Sequence, residues 1–123
     1  MRVELALCVL LGASAAHAQG RVVVASKNFT ESRILGEVMA LMLEEHTDLE
    51  VVHRANLGGT KVCYDALREG EIDLYAEYTG TAWSILMNEP EPNSDALEVF
   101  VRVQDWFARE QDLVWLPPFR AYR

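Results

Sequence analysis

The chain has 123 residues, half of them hydrophobic, a formal net charge of −8 and two cysteines. That acidic balance is spread along the chain without a basic stripe or an aromatic-interleaved cationic patch, so nucleic acid and anionic membrane surfaces are excluded as natural partners. The length allows one small domain around one core and excludes two.

The first element is a leader. Met1-Arg2 precedes the apolar run Leu5-Ala6-Leu7-Cys8-Val9-Leu10-Leu11, and small residues lead to Ala16-His17-Ala18 before Gln19. These are the three parts of a secretory signal peptide with an A-x-A cleavage site. The apolar run is about half of the ~20 residues that a membrane span needs. Residues 1–18 are therefore expected to be removed after Ala18, giving a periplasmic product. Cys8 leaves with the leader, and Cys63 remains alone, without an internal disulfide or a Cys-based metal site. Cys63 is expected as a small buried hydrophobe. His46 and His53 lack a spaced carboxylate or cysteine cluster, so neither a metal nor a cofactor is expected.

Behind the leader the pattern alternates. Arg21-Val22-Val23-Val24-Ala25 is a β-branched run of strand length, as in a strand buried on both faces of a parallel sheet. Asn28, with Glu31 three residues on, reads as a capping box. It opens an amphipathic helix with Ile34, Leu35, Val38, Met39, Leu41, Met42 and Leu43 as its apolar face, ending near His46. Leu49-Glu50-Val51-Val52-His53 reads as a second strand. Asn56-Leu57-Gly58-Gly59-Thr60 reads as a tight turn into a second helix, capped by Thr60, carrying Val62, Ala66 and Leu67 and stopped by Gly70. Ile72-Asp73-Leu74-Tyr75 is a short third strand, and Ala82 to Met87 a short helix. Ser94-Asp95 starts a helix to about Glu110. Leu113-Val114-Trp115-Leu116 reads as a fourth strand, halted by Pro117-Pro118. Strand, helix, strand, helix, strand predicts right-handed crossovers and an α/β fold with a mainly parallel sheet and flanking helices.

The loop Tyr75-Ala76-Glu77-Tyr78-Thr79-Gly80-Thr81 follows a strand's C-terminal end, where open α/β sheets bind their ligands. It offers an aromatic face with hydroxyl and amide donors, chemistry suited to a small polar or cationic molecule. Three blocks, Ser26-Lys27-Asn28-Phe29-Thr30-Glu31, Leu57-Gly58-Gly59-Thr60 and Asp73-Leu74-Tyr75-Ala76-Glu77-Tyr78-Thr79-Gly80-Thr81, together resemble the substrate-binding proteins of glycine betaine, choline and carnitine ABC importers. The resemblance covers roughly residues 21–116. It implies one lobe of a periplasmic-binding-protein clamshell, a quaternary-ammonium osmoprotectant as ligand and a membrane permease as partner. It further implies that Lys27 and Thr81 meet the ligand carboxylate, and that Tyr78 forms one wall of a cage for the trimethylammonium group. Such a group has no hydrogen-bond donor, and aromatic faces hold it by cation–π attraction. Where members of that group often carry Gln after the Thr-Glu pair, this chain has Ser32.

The resemblance implies an organisation of 1–18 as signal peptide, 19–116 as first lobe and 117–123 as a tail that does not match. A first lobe whose second is missing is expected. Plainer readings stand beside the functional ones: Lys27 as a solvated lysine, Tyr78 as a packed aromatic, Tyr75 as packing, and Glu44, Glu45, Glu69, Glu71 and Glu77 as solvated surface. Gly58-Gly59-Thr60 lacks the Lys-Ser/Thr of a phosphate loop. Two further functions compete with ligand delivery. One is an enzyme on the same architecture, with Glu77 as acid/base. The other is a remnant without function.

Overall fold

The computed structural model describes residues 20–119. The expected signal peptide, its cleavage point and most of the tail 117–123 lie outside them. The elements run β1 (Arg21–Lys27), α1 (Thr30–His46), β2 (Glu50–Gly58), α2 (Thr60–Arg68), β3 (Leu74–Tyr75), α3 (Thr79–Thr81), a π-helical turn (Ala82–Leu86) and α4 (Ala96–Glu110). The three strands form one parallel sheet in the order β2-β1-β3. The α/β reading is thereby met.

β1 is central because its residues tolerate burial on both faces: Val24, Ala25, Ser26 and Lys27 are all buried. Successive side chains alternate across the sheet, and each helix meets its own face. A Cβ placed on Gly36 of α1 would come within 3.0 Å of Ser26 Cβ, whereas Ala25 packs in a cluster with Ala66 of α2 and with Ile72. α1 thus covers one side and α2 the other, as right-handed crossovers in opposite directions require.

Only part of the predicted face of α1 turns inward: Leu35, Met39 and Leu43 are half-buried, and the fully buried residues are others. Ser32, Gly36 and Ala40, spaced by four, line the sheet side, and small residues there let the helix backbone approach β1. Ile34, Val38, Leu41 and Met42 are exposed instead. The Asn28 capping box does not form either. Phe29 holds the N-cap position without a side-chain cap bond, and the Asn28 backbone N–H is donated to Gly58 O at 3.0 Å.

β2 is longer than its apolar run because the ladder continues past a bulge. Ala25 pairs with Arg54, but Lys27 pairs with Gly58, so β2 spends two extra residues there. Asn56 in that stretch adopts φ 57°, the left-handed conformation that Asn tolerates. Bulges of this kind re-aim side chains at the end of a strand. α2 stops where expected, with Gly70 at φ 74°, although Val62 is half exposed and the buried side is Cys63, Tyr64 and Ala66.

A second cluster lies around α4, with Tyr64, Ala82, Trp83, Val99, Val103 and Phe107 at its centre. Asp95 caps α4 as read from the sequence, accepting from the N–H groups of Leu97 and Glu98 at 3.0 Å each. Residues Leu113 to Leu116 form no strand. Trp115 packs instead on Phe107, with ring centroids 5.4 Å apart, and its carbonyl accepts from Gln104 Nε2 at 2.9 Å. Attachment to α4 has replaced sheet pairing.

Candidate functional site

Lys27, Phe29, Thr60, Glu77 and Tyr78 come from the C-terminal ends of all three strands. Lys27 ends β1, Phe29 precedes α1, Thr60 begins α2, and Glu77-Tyr78 joins β3 to α3. The chain leaves β1 toward β2 and then crosses to β1's other side for β3, so this edge is a topological switch point.

The bulge and Ser32 aim Lys27. Its backbone N–H, freed from regular pairing, donates to Ser32 Oγ at 2.8 Å, and both residues are buried. The position where Gln was anticipated therefore braces the lysine backbone. Lys27 is not a solvated lysine: its side chain is 4% exposed and its Nζ lies 2.5 Å from Glu77 Oε1. Thr60 Oγ1 accepts a longer bond from the same nitrogen at 3.4 Å. Thr60 is the first residue of α2, with Gly59 as the N-cap, so its hydroxyl serves the site and not the helix cap. Gly59 has open space where a Cβ would stand.

Two rings share this ammonium. Nζ is 5.0 Å from the Tyr78 ring centroid and 5.3 Å from that of Phe29. The rings stack on each other at 6.2 Å with planes 27° apart. Both distances are inside the ~6 Å reach of cation–π attraction. Phe29 was read only as part of a motif block. Its place in the ring pair was hidden because nothing in the sequence signals that residues 49 apart will stack. Tyr78 is 36% exposed, so it is partly open to solvent and not a packed core aromatic. Its phenol is raised above the ordinary tyrosine value by burial first and then by Glu31.

Glu77 overturns the solvated-surface reading. Its side chain is 4% exposed, and Oε1 accepts from the Tyr78 backbone N–H at 2.9 Å besides the Lys27 pair. Oε2 is buried with no hydrogen-bond partner. Tyr75 beneath it belongs to the Ala25, Ala66 and Ile72 cluster, in keeping with the packing role read for it. Its phenol is pushed well up by burial, with the charge of Glu77 adding to this. Cys63 is buried, and its thiol is raised by burial first and by Glu77 second. Thr81 ends α3, half-buried, in the turn that starts at Tyr78. It makes no hydrogen bond to Lys27. Among the described residues no group of three His, Cys, Asp or Glu side chains could hold a metal ion. His53 is used structurally, 2.8 Å from Glu37 and 3.3 Å from Ser26 Oγ.

Residues 20–121 match the family model for the substrate binding domain of ABC-type glycine betaine transport systems. The ergothioneine transport permease/ergothioneine binding protein EgtU of Helicobacter pylori is 35% identical over 96 residues, which are 77% of this chain and 17% of that protein. The glycine betaine-binding protein YehZ of Escherichia coli is 33% identical over 101 residues, 81% of this chain and 33% of its own length. A glycine-betaine-binding protein of Pseudomonas aeruginosa is 34% identical over 97 residues, 79% of this chain and 30% of its own. The solved structure of apo YehZ from Escherichia coli superposes with a TM-score of 0.73 at 32% identity, covering 80% of this chain and 35% of that one. The chain thus spans a third or less of the curated relatives it matches. Each of these relatives is named for binding or transporting a ligand, not for a reaction, and the family model matched is that of a substrate binding domain and not of the enzyme considered above.

Proposed function

The chain belongs to the family of substrate-binding domains of ABC-type glycine betaine transport systems, and we propose that it supplies one lobe of an extracytoplasmic binding component for quaternary-ammonium osmoprotectants such as glycine betaine, choline or carnitine. Residues 1–18 direct its export, and residues 19–116 carry the lobe. A membrane permease is its partner. The observation that carries this reading is the occupied ring pair: Phe29 and Tyr78 already hold an alkylammonium, that of Lys27, at 5.3 and 5.0 Å. A trimethylammonium carries the same charge and is held by the same kind of aromatic face, and both rings remain partly exposed beside Lys27.

Lys27 has three N–H donors. Glu77 and Thr60 take two, which leaves one for a ligand carboxylate. Thr81, in the turn after Tyr78, is proposed as a second carboxylate contact. Ergothioneine, named for the Helicobacter pylori relative, carries the same trimethylammonium and carboxylate groups and fits the same class. Two rings at the surface contribute about 0.5–1 kcal/mol each, and association itself is costly, so this chain alone should bind no tighter than millimolar on an order-of-magnitude scale.

Titration followed by NMR of the Phe29 and Tyr78 ring signals tests the proposal. Saturable shifts with glycine betaine, choline, carnitine or ergothioneine are expected. Ring signals that stay fixed with all four would defeat it.

A further inference from the structure

α1 carries an apolar stripe on its outer side. Small residues, Ser32, Gly36 and Ala40, are the buried ones, while Ile34, Val38, Leu41 and Met42 are each between 44% and 58% exposed. At helical spacing these four share one face, and no α1 residue belongs to either hydrophobic cluster of the described residues. Arg33 and Glu44 are exposed too, 11 positions apart, which is about three turns, so they stand on one flank of the stripe. Arg33 is the one Lys or Arg of α1. Thr30 and Asn56 each accept from its guanidinium, which keeps further N–H donors for a partner.

We propose that this outer face of α1 is the contact between two copies of the chain, paired antiparallel about a two-fold axis through Val38. A two-fold contact sets one patch against itself. With Val38 on the axis, Ile34 of one copy meets Met42 of the other, and Arg33 stands beside Glu44 of the other copy on their shared flank, twice in the pair. Glu31 and Glu45, at the ends of the stripe, come opposite each other as like charges, and Arg33 is the cation within a turn of both. Burial of the stripe supplies the attraction, and the Arg33 and Glu44 pairs fix register and direction. A parallel pair would set Arg33 against Arg33 and Glu44 against Glu44. Antiparallel pairing also puts the two Phe29 rings, just before the N-termini of α1, at opposite ends of the pair and away from the axis. The inference is independent of which ligand those rings hold.

Disulfide trapping tests the contact in the chain from Gln19 onward, whose one native cysteine is the buried Cys63. Val38→Cys should cross-link copy to copy under mild oxidation. Leu97→Cys on α4, where the native side chain is 72% exposed, should not. Equal trapping at both positions, or none at Val38, overturns the inference. Sedimentation tests the register. Arg33→Glu and Glu44→Arg should each weaken the pair by about three- to tenfold, the equivalent of two surface ion pairs turned to repulsion, and the double exchange Arg33→Glu/Glu44→Arg should restore it. Both changes suit the helix dipole, so α1 keeps its fold. Single variants that associate as wild type does, or a double exchange that fails to recover, overturn the antiparallel pairing, and a wild-type chain that stays monomeric overturns the contact altogether.

Discussion

Lys27 and Glu77, 50 positions apart in the chain, meet at 2.5 Å with both side chains shut off from solvent. Each is the other's main answer to burial. Removing one member leaves an uncompensated charge, which costs about 3–5 kcal/mol, whereas replacing both with apolar groups is often nearly neutral. Glu77→Ala should therefore lower stability by about 3–5 kcal/mol. The double variant Lys27→Met/Glu77→Leu should recover most of that loss. Denaturant midpoints of the three proteins check this, and additive losses in the double variant would show that the two side chains do not depend on each other.

Gly36 is the contact point between α1 and the sheet. An added Cβ would stand 2.5 Å from His53 Nε2 and 3.0 Å from Ser26 Cβ. The His53 ring is held by Glu37 and Ser26, and Ser26 belongs to the central strand, so neither yields easily. Helix propensity alone would make Gly36→Ala stabilising by about 1 kcal/mol. Overpacking of about 1–3 kcal/mol should win, and thermal unfolding of Gly36→Ala should come at lower temperature than wild type. By contrast Val38→Ala, on the exposed face, should change little.

Much of this fold can be read from the chain. The valine run of β1 declares a doubly covered strand, Gly70 and Asp95 mark their helix ends, and the order of elements dictates a parallel sheet. The face of α1 was read only in part because periodicity reports where apolar residues recur, while Ser32, Gly36 and Ala40 are buried for their smallness. Leu113 to Leu116 has strand composition but finds Phe107 before it finds a sheet edge. At the site, Lys27 and Tyr78 were legible through their motif blocks. Glu77 was not, since a carboxylate's burial depends on a cation 50 residues away, and Phe29 was missed as a ring for the same kind of reason.

Alkaline conditions should unfold the chain earlier than acidic surface charge alone would suggest. Burial raises the Tyr75 and Tyr64 phenols above their ordinary value of 10.0 and the Cys63 thiol above 9.0. The folded state therefore keeps protons that the unfolded chain gives up. Their contribution is complete below those ordinary values and is lost as pH rises through them toward the raised folded values. Melting temperature should fall from about pH 9 upward, and Tyr75→Phe should flatten that fall. An identical alkaline slope in Tyr75→Phe would assign the loss elsewhere. The same burial predicts that Cys63 reacts with thiol reagents only after unfolding.

Among the exposed apolar side chains are Ile34, Val38, Leu41 and Met42 on α1, and Val114, Leu116 and Phe119 after α4. Grouped exposure of this kind favours association. Sedimentation of the chain should depend on concentration, and the combined variant Val38→Lys/Met42→Lys should reduce that dependence. A wild-type chain that stays monomeric across the range would show that these faces are innocuous.

The ring pair makes the most specific demand on ligand binding. Phe29 and Tyr78 approach Lys27 Nζ at nearly equal distances, so neither ring is the obvious anchor. Each single truncation should weaken a quaternary-ammonium ligand by about two- to fivefold, the equivalent of one exposed cation–π contact of about 0.5–1 kcal/mol. The rings also stack on each other at 6.2 Å, so removing one frees the other to move. Phe29→Ala and Tyr78→Ala should therefore not combine additively, and the double variant should lose less than the product of the single losses. Conservative replacements separate the ring from its hydroxyl: Tyr78→Phe should bind tetramethylammonium as wild type does, because the attraction is to the ring face. Calorimetric or NMR titration with tetramethylammonium reads all four variants. A large loss in Tyr78→Phe would move the ligand contact from the ring to the phenol oxygen and replace the cage with a hydrogen bond.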